Sequence, residues 1–168
     1  MNRALKVLAI VMLVITVAGA GVVLYGLTML APQAENVSVI ATPAVQVQDT
    51  FDAVMAQLSD GTFAGKQHAD AHGLLAQDCT FLTYTVRLAN KGFFPAEWLN
   101  LQVAPKMAAG SADILQLADD RAYVLAAGAK GDLGATVLCA GDAGDTARQL
   151  KITCYVFGQK VEFTVDAR

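Results

Sequence analysis

The chain has 168 residues, of which 16% are charged and 55% hydrophobic, with a formal net charge of −3. All fifteen acidic residues but only ten of the twelve basic ones follow Pro32, so that part of the chain is acidic by five charges. Scattered lysines on an acidic domain form no clustered basic face, which excludes nucleic-acid binding and argues against docking on anionic lipid.

Residues 1–6 carry Arg3 and Lys6 and form a short basic tip. The run from Val7 to Ala31 contains no charged residue. As a helix it would be roughly 37 Å long, enough to cross a hydrocarbon core of ~30 Å with some tilt. Ala18-Gly19-Ala20 imitates a signal-peptidase site, but the apolar run continues past it to Ala31. A retained anchor is therefore preferred over a cleaved signal peptide. Both basic residues near the run precede it, so the positive-inside rule predicts a cytoplasmic N-terminus and an extracytoplasmic remainder. The expected location is the cell membrane, in a single pass.

Residues 32–48 are expected to leave the membrane as a polar stalk and then become β-like, with Pro43 marking an edge or a break. The remaining residues, 49–168, are the size of one ordinary domain. Phe51, Val54, Met55 and Leu58 fall on one helical face, with Asp49 or Thr50 as the cap and Gly61 as the stop. Residues 61–78 hold both histidines and read as a loop or a loose ribbon leading into the sheet. From Cys79 onward the pattern is alternating. Leu82, Tyr84, Val86 and Leu88 share one phase, as do Leu99, Leu101 and Val103. Leu133 to Cys139, Leu150 to Val156 and Val161 to Val165 repeat it, with Gly and Asp turns between. The predicted fold is mainly β: an N-terminal transmembrane helix, then an immunoglobulin-like antiparallel β-sandwich with one short helix.

Val86 to Pro105 resembles a strand-turn-strand of bacterial extracytoplasmic immunoglobulin-like modules of the CARDB and fibronectin-type-III-like kinds. Asn90, Gly92, Pro95 and Ala96 carry the likeness over about twenty residues. The helix at residues 50–58 and the histidine loop depart from that pattern. The resemblance implies adhesion, spacing or assembly, and no shared catalytic residues.

Several groups are candidates for chemistry. His68, Asp70 and His72 would share one face of a strand and suit a transition metal, with Asp78 as a further oxygen donor. Asp142 and Asp145, between glycines, are too few for a calcium loop and read as turn formers. Asn36-Val37-Ser38 is a glycosylation sequon that matters only in a eukaryotic secretory pathway. The cysteines number three, Cys79, Cys139 and Cys154, and no CxxC occurs. Cys139 and Cys154 lie on adjacent predicted strands in the same phase. They are either a disulfide, which persists outside the cytoplasm, or two buried thiols. No GxSxG, HExxH or phosphate loop is present, so no catalytic residue and no cofactor is expected.

Tyr155 and Phe157 oppose the apolar phase of their strand and need a cover. That cover is either the Phe51 helix or a partner protein. Trp98 is out of phase with Leu99, and is expected over a sheet edge or under the Phe93-Phe94 turn. The function expected is a membrane-anchored, non-enzymatic binding or assembly module of a bacterial envelope, with a protein partner or a second copy. The alternative is a metal- or small-ligand-binding sensor using His68, Asp70 and His72.

Overall fold

A computed structural model describes residues 3–28, 31–108, 111–118, 123–141 and 146–167. Helix α1 spans Arg3–Thr28, and its segment Leu5–Tyr25 is long and apolar enough to cross a membrane, with a mean hydropathy of 2.9. From Leu5 to Tyr25 its apolar side chains are exposed, and none belongs to either core cluster. A helix apolar all round is stable in lipid and not in water.

The rest is mainly β, in two antiparallel sheets. The larger sheet holds β1 (Gln33–Pro43), β3 (Cys79–Ala89), β8 (Lys130–Gly141), β6 (Ser111–Gln116) and β2 (Lys66–Gln67) in that order, with β5 (Met107–Ala108) on β6. The smaller sheet runs β10 (Gln159–Ala167), β9 (Arg148–Val156), β4 (Ala96–Val103), β7 (Tyr123–Leu125). The expected stalk is largely strand. β1 begins at Gln33 and pairs with β3 along its length, from Gln33 opposite Ala89 to Pro43 opposite Thr80.

The alternating phases read from the sequence build the core between the sheets. Leu82, Tyr84, Val86 and Leu88 of β3 meet Leu150, Ile152, Cys154 and Val156 of β9 in one cluster. Helix α2 spans Gln48–Ser59, one residue outside the expected start, and Val47 precedes it with no side-chain cap. Asp49 and Thr50 lie inside its first turn. Gly61 follows with φ 68°, the left-handed geometry that ends helices.

The docking side of α2 departs from expectation. Phe51 and Val54 are buried with Ala76, Phe81, Ile114 and Leu138, on the outer face of the larger sheet. Tyr155 and Phe157 belong to the smaller sheet and its last turn, and stay 40% and 68% exposed. The order of layers is therefore α2, larger sheet, smaller sheet. The larger sheet receives α2 because Phe81, Leu138 and Ile114 are apolar residues on its outer side. The outer side of the smaller sheet is mostly polar: Lys151, Thr153, Glu162 and Thr164 lie there.

Phe51→Asp should lower the unfolding free energy of the full chain by more than ~2 kcal/mol, because it buries a charge among apolar residues. Phe157→Asp should not lower it, because aspartate suits a left-handed turn position, and the double variant should be additive, since the two residues sit in different layers. Urea titration in detergent reads all three.

Candidate functional site

Two ends of the sandwich differ in character. At one end the sheets are joined by polar side chains. Asp113 on β6 and Arg148 on β9 form a two-pronged ion pair, Nε to Oδ2 at 2.8 Å and Nη2 to Oδ1 at 2.7 Å. Their side chains are 0% and 2% exposed. Asp113 also accepts from the Lys106 backbone N–H at 2.8 Å and from the Cys139 thiol at 3.1 Å. The Tyr84 hydroxyl donates to the Thr146 carbonyl close by, at 2.8 Å. Gln116 supplies a second crossing. Its amide donates to the Leu101 carbonyl at 3.1 Å and accepts the Val103 N–H at 3.2 Å. β7 pairs with β4 only from Ala96 to Leu99, so Gln116 satisfies the β4 groups that β7 does not reach.

Burial pushes the Asp113 carboxyl up, but the hydrogen bonds from Arg148, Cys139 and the Lys106 N–H outweigh it and hold it below the usual range. Arg148 is raised by its hydrogen bonds to Asp113. Burial and then the Asp113 hydrogen bond push the Cys139 thiol up to about 12. Burial also raises Cys79 and Cys154. A thiol held protonated is a poor nucleophile, so this cluster is structural.

The cysteines are all free and buried. Cys139 and Cys154 do not lie on adjacent strands. β8 pairs with β3 and β6, whereas β9 pairs with β10 and β4, so the two thiols belong to facing sheets. Sequence adjacency of β8 and β9 suggested a hairpin, but the chain crosses between sheets there instead.

The histidine run does not form a common site. β2 ends at Gln67, and residues 68–75 are loop rather than strand. His68 lines a cavity of about 210 Å³ with Gln102, Gln116 and Lys151, and its Nε2 is buried without a hydrogen-bond partner. Asp70 and His72 line a different cavity, of about 290 Å³, with Met55 and Leu58. Asp70 is turned back to accept the His72 backbone N–H at 3.0 Å. Among the described residues no group of three or more His, Cys, Asp or Glu side chains is placed to hold a metal ion. Asp142 and Asp145 lie outside the described residues.

The opposite end carries the exposed aromatics. β4 begins at Ala96 opposite Val156, the end of β9, so Phe94, Trp98, Tyr155 and Phe157 are neighbours. The rings of Phe94 and Phe157 are 4.9 Å apart. Trp98 is 66% exposed, and so it does not pack beneath the Phe93-Phe94 turn. Two non-glycine residues have positive φ among the described residues, Trp98 at 53° and Phe157 at 50°. Trp98 sits in the bulge where β4 slips register against both neighbours. Phe157 and Gly158 are the two turn residues between Val156 and Gln159. Such turns need φ above zero at both central positions and favour Asn-Gly. A bulky residue there costs ~1–2 kcal/mol relative to glycine. Sequence reasoning found these aromatics by phase but had no signal for their backbone geometry. It missed Asp113 and Arg148, although Arg148 shares the phase of Leu150 and Ile152, a charge on an apolar face.

No known protein-family model matches the chain, and comparison with curated proteins finds no significant match.

The folded chain at pH 8 should take up no thiol-alkylating reagent over a time in which the urea-unfolded chain is labelled at all three cysteines; mass spectrometry counts the adducts. A second outcome follows from Asp113. Its folded pKa is depressed, so its contribution is full above the ordinary carboxylate value of ~4 and is lost as pH falls through the lower folded value. Acid titration should therefore show the gap in stability between the native chain and Asp113→Asn closing below pH ~4.

Proposed function

We propose that this chain is a membrane-anchored, extracytoplasmic, non-enzymatic binding or assembly module, and that Trp98, Tyr155 and Phe157 form its contact surface. One observation carries the reading: the two bulky residues in left-handed backbone are both solvent-exposed aromatics at the same end of one sheet. Strain at a buried position is explained by packing. Strain at an exposed position that a glycine or asparagine would relieve calls for another reason, and strained residues concentrate at binding sites. Exposed Trp and Tyr supply large contact area at low entropic cost and dominate interface energetics. The partner is a protein, or a second copy of this chain, reached outside the membrane. Arg3 and Lys6 on the near side of α1 support that orientation.

Trp98→Gly and Phe157→Asn test the assignment. Each should raise the unfolding free energy by ~0.5–1.5 kcal/mol, because each relieves the left-handed strain. Each should also weaken association at least tenfold, read by crosslinking and co-purification from gently solubilised membranes. Loss of stability with unchanged association would assign these aromatics to the fold instead.

A further inference from the structure

The aromatic end of the sandwich is also the end nearest the membrane. α1 stops at Thr28 and β1 starts at Gln33. Five Cα steps reach at most ~18 Å, so the start of β1 cannot move far from the helix exit. Gln33 pairs with Ala89, the last residue of β3. The β3–β4 loop, Asn90 to Pro95, follows at once and is therefore tethered at the same height. That loop is built firmly. The buried Asn90 side chain donates to the Phe94 and Leu125 carbonyls, at 2.8 and 3.0 Å, and accepts the Gly92 N–H at 3.0 Å. Held this way, the loop projects Lys91 and a 62% exposed Phe93. The Phe93 ring lies 6.1 Å from the ring of Tyr25, at the outer end of the apolar span.

We infer that the β3–β4 loop is seated, through Phe93, in the headgroup region of the same bilayer that α1 crosses. The inference rests on the membrane-anchored reading and adds a second membrane contact to it. Tyrosine at the end of a transmembrane helix marks the depth of the membrane–water interface, and a ring packed beside it shares that depth. An apolar ring flanked by a lysine is the pairing that interfacial segments use: the ring enters the acyl boundary and the ammonium stays among phosphates. The domain's acidity does not oppose this. Two of the nearby carboxylates are paired in place, Glu35 with Lys130 at 2.7 Å and Asp132 with Arg87 at 2.9 Å. The contact is apolar in origin, so zwitterionic lipid suffices.

The chain has one tryptophan, Trp98, which makes a single-tryptophan scan direct. In a Trp98→Phe background, Tyr25→Trp, Phe93→Trp and Met107→Trp are each placed in the full chain. Each variant is reconstituted in phosphatidylcholine vesicles with and without brominated acyl chains. Met107 is exposed and follows the far end of β4, so it reports on the opposite pole. The expected result is bromolipid quenching of Phe93→Trp to nearly the extent seen for Tyr25→Trp, with Met107→Trp unquenched. Quenching of Tyr25→Trp alone would overturn the inference and leave the anchor standing. Equal quenching of Phe93→Trp and Met107→Trp would overturn it too, since the domain would then lie flat. No quenching of Tyr25→Trp would remove the anchor and the inference together.

Discussion

The Asp113–Arg148 ion pair is the contact on which the two-sheet arrangement depends. Each sheet alone presents an apolar face that would pack on many apolar surfaces at many angles. A bidentate guanidinium–carboxylate pair has one geometry. With one partner on β6 and the other on β9, it fixes which strands face each other and in what register. Removing two charges from water is costly, and the pair alone repays that cost only if every remaining polar atom is satisfied. Here the Lys106 N–H and the Cys139 thiol complete the carboxylate's shell. Gln116 repeats the device a turn of strand away, bonding the β4 backbone where β7 has ended.

This concentration of polar bonding at one pole frees the other. From Arg148 to Phe157 along β9 the distance is roughly 30 Å at ~3.3 Å per residue. At the Arg148 end the sheets are joined by the ion pair and Gln116, and burial holds the Cys79 and Cys139 thiols protonated. At the other end Phe93 on the β3–β4 loop, Trp98 in the β4 bulge, Tyr155 on β9 and Phe157 in the turn after it are exposed, two of them on strained backbone. Native folds tolerate such strain where the surrounding structure over-determines the conformation. The register of β9 with β10 provides that support for Phe157, and the pairing of β4 with β9 on both sides of the bulge provides it for Trp98. The sheet-joining ion pair and the exposed aromatics are separated by the length of the sandwich.

Much of the architecture was legible because one face of each strand is buried. The uncharged stretch at the start, the short helix closed by Gly61 and the phases of β3, β9 and β10 all follow from spacing. Pairing across the sandwich was not legible. β8 and β9 are consecutive and share an apolar phase whether they form a hairpin or face each other from two sheets, so the cysteine adjacency failed. The apolar stripe of α2 fits any apolar surface, and nothing in its own residues distinguishes Phe81 and Leu138 from Tyr155 and Phe157. His68 and His72 read as one cluster only while the segment is taken as a strand or a helix; as loop it turns them into separate cavities. The ion pair left a signal, two opposite charges in phase with apolar neighbours, that becomes readable once β6 and β9 are known to face each other.

A double-mutant cycle on Asp113 and Arg148 measures the central claim directly. Unfolding free energies are taken for the native chain, Asp113→Ala, Arg148→Met and the double variant. The expected coupling is at least ~2 kcal/mol, with the double variant no worse than either single one, because removing one partner strands the other charge in the core. Single losses that simply add, within ~0.5 kcal/mol, would contradict the account, since the two groups would then act independently and something else would hold the sheets in register.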